Sequence, residues 1–164
     1  MSTSRFVFVV LLGFILHTNG AEAAEAPGSI TGMDILLTAP SEVTKDEPSY
    51  ISVNVRISED VAVHNGVVSC WLKESTPFLP DREVGGVHDT ILTSFTYPEP
   101  NEPFFETFGW SEDLSKFIDG PNKAAELYAK CKYLIPRFPF NDTRTAETDI
   151  ISVTVSESTP RPPP

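Results

Sequence analysis

Apolar and polar residues alternate with a period of two along most of this chain. Between Tyr50 and Ser58, Ile51, Val53, Val55 and Ile57 fall on one face and Ser52, Asn54, Arg56 and Ser58 on the other, the pattern of a half-buried strand. Val67–Lys73 repeats it, with Val68, Cys70 and Leu72 inward and Trp71 opposite. In Ile30–Thr38 the inward row is Met33, Ile35 and Leu37, and in Ile150–Ser156 it is Ile151, Val153 and Val155. Thr90–Tyr97 places Ile91, Phe95 and Tyr97 on one face, and Phe104–Trp110 is aromatic and extended.

The longest periodic run is Ala124–Ile135. Taken two at a time, Ala125, Leu127, Ala129, Cys131, Tyr133 and Ile135 share a face. The same residues admit a second period, because Leu127, Cys131 and Leu134 stand at helical spacing and Ala, Glu, Leu and Lys are good helix formers. A strand gives an all-β protein and a helix gives an α+β one. The prevalence of period two elsewhere favours the strand.

Breaks between the runs carry turn chemistry. Ala39-Pro40-Ser41 suits an edge or a switch between sheets, and Asn65-Gly66 is a turn signal. Ser75–Gly86 reads as a loop punctuated by Pro77, Pro80, Gly85 and Gly86, and Pro136–Thr145 as another. Ser111–Ile118 fits one helical turn capped by Ser111. About seven short strands with turns between them predict a two-sheet antiparallel β-sandwich of immunoglobulin-like architecture. Trp71 adjoins its cysteine and Tyr128 precedes Cys131 by three residues, so the immunoglobulin sequence motif itself is not reproduced.

The ends differ from the middle. Met1–Gly20, with Arg5 ahead of the apolar Phe6–Leu16, reads as a secretory signal. Residues 21–29 read as a disordered segment, residues 30–156 as the folded domain, and residues 157–164 as a disordered Pro-rich tail. The protein is therefore expected to be secreted. The chain has 12 Lys and Arg against 23 Asp and Glu, and loss of Arg5 with the leader takes the net charge from −11 to −12. That balance argues against nucleic acid and anionic membranes as partners. Cys70 and Cys131 are the only cysteines. Both fall on inward rows of an exported chain, so they are expected to form one buried disulfide joining the two sheets.

Motifs for chemistry are few. The mature chain has two histidines, His64 and His88, neither at metal-ligand spacing with a Cys or another His. No nucleophile elbow, phosphate loop or EF-hand spacing occurs. No catalytic, cofactor-binding or metal-binding residue is assigned, and no cofactor is expected. Two distant carboxylates meeting in the fold, as in glycoside hydrolases, remain the enzymatic alternative. Asn141-Asp142-Thr143 is an acceptor for N-glycosylation. Phe104, Phe105, Phe108 and Trp110 form either a binding patch or part of the core, and alternation favours the core.

One family carries the same order of features: Ser29-Ile30-Thr31-Gly32-Met33, then Ala39-Pro40-Ser41-Glu42-Val43, then Thr90-Ile91-Leu92-Thr93-Ser94-Phe95-Thr96-Tyr97, then Ile151-Ser152-Val153-Thr154-Val155. This series resembles the small fungal proteins typified by the necrosis-inducing secreted effectors. The chain departs from that pattern at His88-Asp89 and at Tyr97-Pro98-Glu99-Pro100. The resemblance implies a non-enzymatic, monomeric virulence effector that binds host receptor-like kinases and dampens plant immunity. It carries over no binding residues. The other function class is a secreted carbohydrate-binding or carbohydrate-active protein, which needs coplanar exposed aromatics among residues such as Trp71, Trp110 and Tyr128.

Overall fold

Ala124–Ile135 (β8) is a strand, and it is the centre of the larger of two sheets. The computed structural model describes residues 22–92, 103–117, 124–137 and 139–156. The earlier strands are Ala23–Ile30 (β1), Met33–Pro40 (β2), Glu42–Thr44 (β3), Ser49–Ile57 (β4), Val67–Glu74 (β5), Arg82–Ile91 (β6) and Phe104–Glu112 (β7). Asp142–Glu147 (β9) and Ile151–Ser156 (β10) follow β8. One sheet has the order β1-β2-β4-β7; the other runs β3-β10-β8-β5-β6, with β9 also on β8. The fold is an all-β sandwich, and the helical period in β8 is not used.

Along one side, β8 pairs with β5 from Leu127 to Leu134; along the other, its first residues pair with β10 and its last with β9. Twelve residues thus serve three neighbours. The inward rows read from the sequence meet in one core: Ile51, Val53, Val55 and Ile57 from one sheet, Val68, Leu72, Leu127, Ala129, Cys131 and Tyr133 from the other. Each fully buried aliphatic side chain contributes about 1.5–3 kcal/mol. Tyr133 brings its polar end inside because its hydroxyl donates to Val61 O at 3.1 Å and accepts from Val63 N at 3.0 Å.

Ala39-Pro40-Ser41 is a sheet switch. β2 ends at Pro40 in the smaller sheet, and β3 begins at Glu42 beside β10 in the larger. That β3–β10 pairing is parallel, whereas the other strand pairings among the described residues are antiparallel.

The disulfide forms, but not between sheets. Cys70 and Cys131 are direct cross-strand partners in β5 and β8, with Cα atoms 4.2 Å apart. Period two shows that both point inward; it does not show which sheet each strand joins.

Other expectations need correction. Among the described residues there are ten strands, not seven. Residues 23–29 are not disordered: they belong to β1, which pairs residue for residue with β2. Its small side chains bury only Ala26, so the strand is made by backbone pairing rather than by apolar pattern. Pro136–Thr145 is not all loop, because β9 begins at Asp142; as a polar edge strand it buries only Ala146. Ser75–Gly86 is not all loop, because β6 begins at Arg82 and runs to Ile91; at the start of the expected Thr90–Tyr97 strand, Leu92 rather than Ile91 points inward. A bulge opposite β5 between Cys70 and Leu72, with Gly85 at φ +70°, shifts the register and breaks the period. The short helix is a 3₁₀ turn at Leu114–Phe117 capped by Asp113, whose Oδ1 accepts from Ser115 N, rather than one capped by Ser111. Phe95, Tyr97, the leader and the tail lie outside the described residues.

Both open sides of the sandwich are closed by specific contacts. On one, Asp149 N donates to Pro27 O at 3.0 Å, and β1 approaches so closely that a Cβ on Gly28 would sit 2.2 Å from Glu147 O. On the other, Trp110 Nε1 donates to Gly86 O at 2.7 Å, tying β7 to β6, and its ring lies 4.8 Å from that of His88.

Candidate functional site

The loop between β5 and β6 carries Phe78, the most exposed large apolar residue of the described chain. Thr76-Pro77-Phe78-Leu79 makes a tight turn closed by a hydrogen bond from Leu79 N to Thr76 O at 3.4 Å. Proline at the second position and positive φ at the third mark a type II turn. The third residue is Phe78, at φ +65°, where glycine is the usual occupant. A bulky residue there costs about 1–3 kcal/mol. Its ring is fully exposed, and Leu79 beside it is 70% exposed.

The base of the turn is braced. The Thr76 hydroxyl is 3.1 Å from Leu79 O and 3.0 Å from Pro80 O, and Thr76 N donates to Asp81 Oδ1 at 3.4 Å. Tyr128, on the outer face of β8, donates its hydroxyl to Asp81 Oδ2 at 2.6 Å. That hydrogen bond holds the Asp81 carboxyl below its ordinary value of 3.8. Burial, then the neighbouring Asp81, pushes the Tyr128 phenol up. Arg82 Nε donates to the buried Glu74 at 2.6 Å and its Nη2 to Phe117 O at 3.2 Å, while the guanidinium sits over the Phe117 ring. The tip therefore projects from a base fixed on three sides. Beside it lies a shallow open cleft of about 260 Å³ lined by Ser75, Asp81, Tyr128, Glu147, Thr148 and Ile150.

The residues singled out by sequence do not gather here. Phe104, Phe108 and Trp110 are buried in the core and only Phe105 faces out, so the four do not form a patch. Trp71 and Tyr128 are half-buried on the outer face of the larger sheet. His64 is exposed and His88 is half-buried. Among the described residues, no three His, Cys, Asp or Glu side chains converge as a metal site would require. Asn141 is exposed just ahead of β9. The sequence reads the Phe78–Leu79 tip only as part of the Ser75–Gly86 loop; two large apolar residues between two prolines are its signal.

Comparison of the sequence with protein-family models and with characterised proteins returns no match.

Proposed function

We propose that this is a secreted binding protein that acts without catalysis, docking the Phe78–Leu79 tip into an apolar pocket of a protein partner. The strain at Phe78 carries the proposal. A fold that keeps a bulky residue at positive φ, fully exposed and on a braced base, spends stability on presenting that ring. Aromatic and aliphatic anchors that fill a partner's pocket supply most of the energy of such interfaces. In the terms of the resemblance, the protein is a fungal effector and the partner is a host receptor-like kinase, bound so that plant immune signalling is dampened.

A sugar ligand fits the surface less well. Sugar platforms stack pyranose faces on several coplanar exposed rings, whereas Trp110 is buried and Trp71 and Tyr128 are half-covered. A protruding tip suits a concave protein surface.

The test is Phe78→Gly, with Leu79→Ser beside it. Glycine relieves the strain at positive φ, so Phe78→Gly is expected to melt no lower than the wild type while losing binding to receptor-like kinase domains immobilised on a sensor. Undiminished binding by both variants overturns the role of the tip. Turnover of a polysaccharide or peptide by the purified protein, lost on replacing a single Asp or Glu, overturns the binding role in favour of an enzyme.

A further inference from the structure

We propose that Asn141 carries an N-linked glycan whose first sugar packs on the ring of Phe140. Asn141-Asp142-Thr143 is the only Asn-X-Ser/Thr triplet in the chain, and the residue directly before it is phenylalanine. The structure adds what the triplet alone does not show. Asn141 and Thr143 are both exposed, at the point where the chain enters the edge strand β9. The intervening Asp142 caps the following amide, its Oδ1 accepting from Thr143 N at 2.8 Å. Phe140 is 82% exposed. Among the described residues only Phe78 exposes a larger fraction of an aromatic side chain.

An exposed ring next to a sugar acceptor has a physical use. The axial C–H groups of a pyranose present weakly positive hydrogens, and the face of an aromatic ring is negative. N-acetylglucosamine on Asn141 would cover Phe140 and remove its apolar surface from water. It would also place a bulky, hydrated group at the start of β9, whose polar edge otherwise offers backbone groups to a neighbouring chain.

The covalent step is simple and rests on passage of the chain through a eukaryotic secretory pathway. The Asn141 amide nitrogen attacks the anomeric carbon of a polyprenyl-diphosphate oligosaccharide. A carbon–nitrogen bond forms, the bond from that carbon to the diphosphate oxygen breaks, the amide gives up one proton, and the polyprenyl diphosphate leaves.

The glycan leaves the docking tip clear. Leu127 of β8 pairs with Glu74, just before the tip, and Ile135 pairs with Asp142, just after Asn141. Eight residues of strand at about 3.3 Å each separate the two ends by roughly 26 Å.

The experiment uses the full chain with its own leader, secreted from yeast. Intact mass is measured before and after treatment with a peptide-N-glycosidase, for the wild type, Thr143→Ala and Phe140→Ala. The expected result is one glycan on the wild type and none on Thr143→Ala. The glycosylated wild type should melt above its deglycosylated form, and Phe140→Ala should abolish that difference. A secreted wild type with the mass of the bare chain overturns the site. A glycan whose effect on melting is the same in Phe140→Ala overturns the packing on the ring. The docking reading is tested separately by Phe78→Gly, so failure of one leaves the other standing.

Discussion

The Tyr128 hydroxyl donates to Asp81 Oδ2 at 2.6 Å, across 47 positions of sequence. A residue of the central strand thereby holds the end of the exposed loop. The electrostatics of this pair set a pH window. A carboxyl lowered in the folded state contributes stability above its unfolded value of 3.8, and the contribution is lost as pH falls through the folded value beneath it. A phenol raised in the folded state contributes below about 10 and loses that contribution as pH rises. The brace therefore contributes in full from about pH 4 to 10. In Tyr128→Phe the Asp81 titration, followed by NMR of its side-chain carboxyl, should move up toward 3.8, and the amides of the Thr76–Asp81 turn should exchange faster. An unmoved Asp81 midpoint would remove the brace from the account.

Gly85 sits at φ +70° with Trp110 against it; a Cβ there would lie 2.6 Å from Trp110 Cδ1. Gly85→Ala should cost about 1–3 kcal/mol through backbone strain and displacement of the indole. Urea unfolding followed by tryptophan fluorescence reads both the lost stability and the altered environment of the ring.

The disulfide closes a loop spanning 61 positions, and such closure is worth about 4 kcal/mol in the chain-entropy description. The double variant Cys70→Ala, Cys131→Ala should lose about 2–5 kcal/mol in denaturant melts. The unreduced protein should take up no alkylating reagent.

Val53 is fully buried and faces the core shared by both sheets. Val53→Asp places an unpaired charge there, which costs several kcal/mol, and the variant should be unfolded or close to it by circular dichroism at room temperature.

A chain beginning at Ile30 loses nearly all of β1, and with it Ala26 and the acceptor for Asp149 N. It should melt below a chain beginning at Glu22, and the Asp149 amide should lose its protection from exchange. Equal melting would mean that β1 adds nothing to the fold.

Strands that bury a full apolar row were legible in the sequence: β2, β4, β5, β8 and β10 alternate because one face of each lies on the core. The strands that were missed lack that row. β1 and β9 exist because a neighbour offers backbone partners, and each buries a single alanine within its span. β6 contains two glycines and a bulge, so its two ends follow different registers. The cysteine pairing was legible for the same reason as the strands, whereas its placement within one sheet depends on strand order, which side-chain alternation does not encode. The exposed apolar pair of the candidate tip is visible in Pro77-Phe78-Leu79-Pro80, but the positive φ at Phe78 is a backbone angle that no residue type there announces.

The cross-strand disulfide also changes what a protease can do to this protein. Every peptide bond between Cys70 and Cys131 lies within a covalent ring, and the exposed Phe78–Leu79 turn is part of it. A single nick in that turn opens the ring without releasing a fragment. The two new ends stay tethered through the middle of the larger sheet, where β5 and β8 remain paired on either side of the sulfurs. A cut in this exposed turn therefore leaves a single covalent molecule with its sandwich held together, while the braced turn itself is opened.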